Sequence, residues 1–294
     1  MSKILDRIAN GEILVSDGAL GTFLQAKGLK PGECPEAWCV THSDIVKDIA
    51  EAYVSAGSDM VSTNSFGGTH YKLKEYGLTD KVSEFNTAAA RIVKAAVGTE
   101  GYVLGSIGPT GQIVEDEGGF VSESELFNAY KDQVIALASG GADLILAETM
   151  SSVMEAAQAI KAAKAHTNLP VACTFTFELG ARGFRTMMGV DPVRAAEEAI
   201  EAGADIVGAN CGNGIANMVE IVKQMHAAVP NIPILVQANA GAPVLEDGKT
   251  VFKETPEDMA SRVKELVEAG AKIIGGCCGT TPDHIRAIVA TLAK

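Results

Sequence analysis

Two cysteines stand side by side in the segment GGCCGTTP, residues 275–282: Cys277 and Cys278. They are poorly placed to pair with each other, because Cα atoms across a trans peptide lie about 3.8 Å apart, below the usual disulfide span of about 4.4–6.8 Å. Adjacent thiolates suit a soft metal better. A third thiol, Cys211 in GANCGNG, follows an apolar run of the same kind as Ala271 to Ile274, which precedes the pair. Three thiolates make an incomplete zinc site, with one coordination position left for a substrate. Zinc with three thiolates carries one net negative charge, so it activates water poorly and favours a soft fourth ligand. A thiol bound there falls below its ordinary pKa of about 8.5 while its sulfur stays nucleophilic, which is the chemistry of alkyl transfer to sulfur.

The remaining thiols read differently. Cys34 and Cys39, in GECPEAWC, lack metal-pair spacing and are expected as packed or merely available thiols; Cys173 sits inside an apolar run as a small buried hydrophobe. Six cysteines in 294 residues do not form a secreted disulfide framework, so a reducing, cytoplasmic compartment is expected.

The elements that must bring these thiols together alternate along the whole chain. β-branched runs at 13–17, 60–64, 102–107, 143–148, 170–175, 205–210, 232–238 and 272–276 are followed by segments of helical spacing near 44–56, 81–97, 122–139, 151–165, 191–202, 216–228, 256–269 and 282–292. Helix-entry chemistry marks several starts: Ser43-Asp44, Asp191-Pro192, Thr255-Pro256 and Thr281-Pro282. Eight strand–helix units without a linker predict an α/β fold, a single (β/α)8 TIM barrel over residues 1–294. The competing doubly wound sheet needs a glycine-rich phosphate turn after the first strand, and DGALGT lacks the third glycine.

An internal repeat sharpens the barrel reading. YVSAGSDMVSTNS, LASGGADLILAET, AIEAGADIVGANC and LVEAGAKIIGGCC each run from a helix end through a glycine into a strand. Aligned on Gly57, Gly141, Gly203 and Gly270, the strands end in Asn64, Glu148, Asn210 and Cys277, followed by Ser65, Thr149, Cys211 and Cys278. These are the second, fourth, sixth and eighth strands, and their carboxyl ends share the barrel face on which active sites form. Cys211 and the Cys277-Cys278 pair can therefore converge. Glu148 in that position suits a substrate ammonium, or is a solvated or core-satisfied carboxylate. Asn64, Asn210 and Asn239 could hydrogen-bond a substrate or cap loop backbone.

Composition excludes other classes. With 24 Lys and Arg against 37 Asp and Glu, the net charge is −13 and no basic cluster interrupts it, which argues against nucleic acid or an anionic membrane as partner. The N-terminus lacks a signal-like apolar core, and no run reaches the roughly 18 apolar residues of a spanning helix.

The ordered blocks DGALGT (17–22), STNSFGG (62–68), GSIGPTG (105–111), AETM (147–150), GVDP (189–192), GANC (208–211), ANAGAP (238–243) and GGCCGTTP resemble the homocysteine S-methyltransferase family, the zinc-dependent barrel found in cobalamin-dependent methionine synthase and betaine-homocysteine methyltransferase. The resemblance implies Cys211, Cys277 and Cys278 as Zn2+ ligands, and Glu148 with the Asp17 loop as the holder of the acceptor's amino-acid part. Two departures border that pocket: Gly212-Asn213-Gly214 stands where the methionine-synthase branch has Ser and Gly-Pro, and Ala238-Asn239-Ala240-Gly241 replaces PNAG. The resemblance also admits a homodimer.

The function expected is methyl transfer between a donor and a zinc-bound thiol such as homocysteine, the donor being a methyl-corrinoid carried on a separate protein or a sulfonium. The same chemistry could run for catabolism, demethylating a small methylated substrate and methylating a corrinoid partner. A non-enzymatic zinc or thiol-redox sensor is the alternative of a different class.

Overall fold

The computed structural model describes residues 3–246 and 249–292; the ends of the expected 1–294 span, residues 1–2 and 293–294, lie outside the described residues. Eight parallel strands carry the fold: β1 (Leu14–Val15), β2 (Met60–Ser62), β3 (Tyr102–Ile107), β4 (Leu144–Met150), β5 (Val171–Phe175), β6 (Ile206–Gly214), β7 (Ile234–Asn239) and β8 (Ala271–Gly276). Their hydrogen-bonded order is β1-β8-β7-β6-β5-β4-β3-β2, and a parallel bridge from Ser16 to Met60 joins the two ends of the sheet. This is the expected (β/α)8 barrel, with helices packed around it.

The four repeat glycines end their helices as the sequence implied. Gly57, Gly141, Gly203 and Gly270 have φ of 101°, 104°, 108° and 117°, a left-handed turn that a side chain would strain. Two residues after the first three of these glycines comes an aspartate whose role only the structure reveals. Asp59, Asp143 and Asp205 accept the backbone N–H of Val15, Val103 and Val171 at 2.8, 2.9 and 2.8 Å. Each thereby ties the foot of an even strand to its odd neighbour. Arg7, Lys94 and Lys164 pair with the same three carboxylates.

Below the site the barrel is filled with apolar side chains, including Met60, Leu104, Leu146, Ile206, Leu235 and Ile273, and the short helix Lys3–Ala9 seals it with Ile4 and Ile8. Each such burial contributes roughly 1.5–3 kcal/mol. The foot of the barrel is thus a plug, and the cavity beside the thiols lies at the carboxyl ends of the strands.

Helix starts follow the sequence signals with one difference. Asp191 accepts the N–H of Arg194, Thr255 and Asp258 form a reciprocal cap, and Thr281 does so with His284. Ser43, by contrast, is already helical and has no side-chain cap before it, because Trp38–Thr41 runs almost directly into Ser43–Ala56. His42 at the junction stacks on Trp38 instead, with ring centroids 4.3 Å apart. The expected helix over 256–269 is two pieces, Pro256–Ser261 and Val263–Ala269, broken at Arg262. Among the described residues no helix is long and apolar enough to cross a membrane.

Candidate metal and substrate site

The GGCCGTTP segment is shaped by close packing under the thiols. A Cβ on Gly275 would lie 1.9 Å from Ser16 Oγ, so only glycine lets β8 approach β1 this closely. Gly276 then donates to Asp17 O at 2.9 Å, Cys277 to Ala238 O at 2.7 Å, and Ala240 to Cys278 O at 3.0 Å. Thr280 Oγ1 donates to Cys277 O at 2.7 Å and accepts from Ala19 N at 3.0 Å, which pins the thiol turn to the DGALGT loop. The two cysteines are held by backbone contacts on both sides.

Cys211 arrives from β6. The three sulfurs lie within 4.8 Å of one another, and Cys211 Sγ is 3.9 Å from Cys278 Sγ. Cys211 has φ of 58° and Thr149, its counterpart in the β4 repeat, 62°; among the described residues these are the two non-glycine residues with positive φ. Such a conformation costs of order 1–3 kcal/mol and persists where the surroundings over-determine it. Here Asn210 does so. Fully buried, it accepts from Thr149 N and Thr174 Oγ1 at 2.8 Å each and donates to Thr149 Oγ1 at 2.7 Å and Glu148 Oε2 at 3.4 Å.

The three thiols share protons. Hydrogen bonds from Cys277 and Cys278 push Cys211 far below an ordinary thiol, and the same contacts together with burial push Cys277 up. A cation that replaces those protons relieves the competition, so the donor set fits a thiophilic metal. Cys34, Cys39 and Cys173 are buried away from this group. Burial raises their pKa, Cys34 to about 12. Cys34 donates to Glu36 and Cys39 to Asn64 O. They are packing thiols, as their spacing implied.

Beside the cluster is a cavity of about 300 Å³ walled mainly by apolar surface, whose lining includes Cys211, Cys277, Cys278, Glu148 and the Gly18–Thr22 loop. Glu148 receives the hydroxyl of Ser106, and burial first, then the charges of Asp17 and Cys211, raise its pKa to about 7. Asp17 is likewise raised to about 7 by burial. Its carboxylate is engaged by Ser62, through N–H at 2.8 Å and hydroxyl at 3.0 Å, so the residue braces β1 against β2 while the loop after it faces the cavity. Asn64 lines the cavity, yet its amide donates to Pro35 O at 2.7 Å and holds the long loop after β1. Asn239 is buried beside Cys211, and its Oδ1 has no donor.

Neither departure noted in the sequence lines the cavity through a side chain. Asn213 donates to Phe177 O at 2.5 Å and accepts from Asn217 at 2.8 Å, so Gly212-Asn213-Gly214 clamps the loop after β5. Ala238 is fully buried and acts through its carbonyl. Among the lining residues that the sequence reading did not single out are Ser106, Glu36 and Gln237. Ser106 was visible in GSIGPTG, and Gln237 as the one long polar side chain in the apolar run before Ala238.

A model of the homocysteine S-methyltransferase family matches residues 14–292. The methionine synthases of Mycobacterium tuberculosis and Mycobacterium leprae are each 33% identical over alignments that include all of this chain. The chain belongs to the homocysteine S-methyltransferase family. It spans about a quarter of those two relatives, 26% and 25% of their lengths. The family fold is equally clear in solved structures: the metallated form of the homocysteine methyltransferase MmuM from Escherichia coli superposes with a TM-score of 0.80 at 23% identity, covering 98% of this chain and 99% of that one. The apo form of the same protein gives 0.75 at 21% identity. The family is thus one of methyl transferases, and its barrel is the one described above.

Proposed function

We propose that this barrel transfers a methyl group to the sulfur of homocysteine, with zinc held by Cys211, Cys277 and Cys278. The observation that carries the reading is the meeting of three sulfurs within 4.8 Å at the wall of an amino-acid-sized cavity that also presents Glu148. Zinc in that thiolate set supplies a centre that lowers the pKa of an added thiol and leaves its sulfur nucleophilic.

The chain's own residues supply the rest. Glu148, braced by Ser106 and Asn210, takes the substrate ammonium, which keeps the carboxylate ionised at neutral pH by offsetting its burial. The Gly18–Thr22 loop lines the same cavity, and its backbone N–H groups other than that of Ala19, which Thr280 takes, suit the substrate carboxylate. Asn239 points its amide at Cys211 and favours that thiolate. The apolar walls exclude water from the acceptor sulfur. Asn64 and Asn210 act on loop and strand geometry more than on substrate.

A cavity of about 300 Å³ holds homocysteine and leaves no room for a corrin ring. The donor therefore approaches from the open face, and a methyl-corrinoid carried outside this barrel fits that approach. Gly212-Asn213-Gly214, the departure that would motivate the catabolic direction, serves the loop after β5. A sensor has no need of an amino-acid pocket with a buried carboxylate.

The test is methyl transfer from methylcobalamin to homocysteine by zinc-loaded protein, before and after a chelator removes the metal. Loss of turnover with recovery on stoichiometric zinc is expected. Undiminished turnover in zinc-free protein would sink the reading.

A further inference from the structure

β7 lies between the two strands that carry the thiols, and its inward residues receive little support from the protein. Gln237 pairs in register with Asn210 on β6 and Gly275 on β8, so it stands two residues below Asn239 on the same side of the strand. Only 4% of it is exposed, and it lines the cavity. Its Oε1 is buried without a donor. Six buried side-chain atoms among the described residues lack a partner, and of their residues Gln237 is the one that lines this cavity, so a ligand there is the partner open to it.

The chemistry of that partner follows from what the cavity lacks. An ammonium brings three N–H donors, and Glu148, the carboxylate facing it, already accepts from Ser106 and Asn210. A second acceptor across the cavity completes the match. Gln237 Oε1 is a neutral acceptor, so it adds a hydrogen bond without adding negative charge beside three thiolates. An anion would be repelled from the same place by Asp17, Glu148 and the thiolate cluster.

We infer that Gln237 is a specificity-determining residue, whose side-chain carbonyl accepts a hydrogen bond from the α-ammonium of the thiol substrate and so selects amino-acid thiols over simple ones. The inference rests on the homocysteine reading given above. It assigns to β7 a contact with substrate, separate from the metal.

Calorimetric titration of zinc-loaded protein with homocysteine and with its des-amino analogue, a mercaptobutanoate, tests it without any methyl donor. Gln237→Met keeps the volume and removes the acceptor. Homocysteine should bind about tenfold more weakly, the loss of one hydrogen bond to a charged group, while the mercaptobutanoate binds as to wild type. Zinc content should be unchanged and the unfolding midpoint equal or higher, since no native partner is lost. Gln237→Leu should repeat the pattern. Equal weakening of both thiols, or no weakening of either, overturns the role of Gln237 while leaving the homocysteine reading intact. Failure of wild type to bind either thiol overturns that reading, and this one with it.

Discussion

The four even strands present opposite ends with opposite habits. At the foot, three of the four repeats place an aspartate two residues after the glycine, and Asp59, Asp143 and Asp205 all do the same thing: accept the N–H of a neighbouring strand and pair with a cation. At the mouth, the equivalent positions hold Asn64, Glu148, Asn210 and Cys277, each with a different task. One repeat therefore yields a uniform clasp at one end and a divergent site at the other. Loops and strand ends at the mouth can vary because the foot and the apolar plug hold the barrel.

The largest break in this contrast is expected at the mouth. Cys277→Ser should abolish zinc binding and lower methyl transfer by more than about 100-fold, beyond the 10–100-fold typical of residues that only support a ligand, with little change in unfolding midpoint. Metal analysis and thermal unfolding of the same preparation check it. Glu148→Gln should keep its zinc and raise KM for homocysteine at least about tenfold, because removing one side of a buried charged pair costs about 2–5 kcal/mol. A KM unchanged within twofold would remove Glu148 from the ammonium.

Asp17 separates the two ends by pH. Burial raises it from 3.8 to about 7, so between those values the folded protein holds a proton that the unfolded chain has released. Stability from this group is present at low pH, falls as pH rises through that window, and is flat above about 7. The whole change is up to about 4 kcal/mol. Asp17→Asn should flatten that part of the profile in urea unfolding at pH 5 and 7.5; the difference from wild type isolates it from the thiols.

Smaller effects belong to the foot and the packed thiols. Asp143→Ala leaves Val103 N–H and Lys94 without their acceptor, at a cost of about 1–3 kcal/mol, and kcat/KM for homocysteine should stay within twofold of wild type. Cys39→Ala should cost about 1 kcal/mol and leave zinc stoichiometry intact. Loss of zinc in the foot variant would erase the distinction between the two ends.

Much of this was legible in the sequence because it lies in local pattern. The β-branched runs gave each strand within a few residues, and the repeat glycines gave the registration that brought Cys211 toward Cys277 and Cys278. Ser43-Asp44 marked a helix start where the helix does begin, but the lack of a side-chain cap there depends on Trp38–Thr41 running almost directly into it. The sequence assigns the Asp17 loop to the substrate and leaves Asn210 open between a substrate contact and a cap on loop backbone. The structure shows Asp17 bonded to Ser62 and Asn210 bonded to Glu148 and Thr149 on β4 and Thr174 on β5. Gln237 was passed over because an amide in an apolar run has no motif of its own.

Sequence alone determined the barrel, the three thiols of a kind able to hold a soft metal, and the end of the barrel where they meet, because periodicity, glycine position and residue chemistry are properties of short segments. Only the tertiary structure decided which polar groups are spent on the protein and which are left for a ligand. That division depends on hydrogen bonds between residues far apart in the chain: Thr280 to Ala19, Ser106 to Glu148, Asn210 to Thr149. Gln237, which lines the cavity, and Asn239, beside Cys211, keep unmatched oxygens.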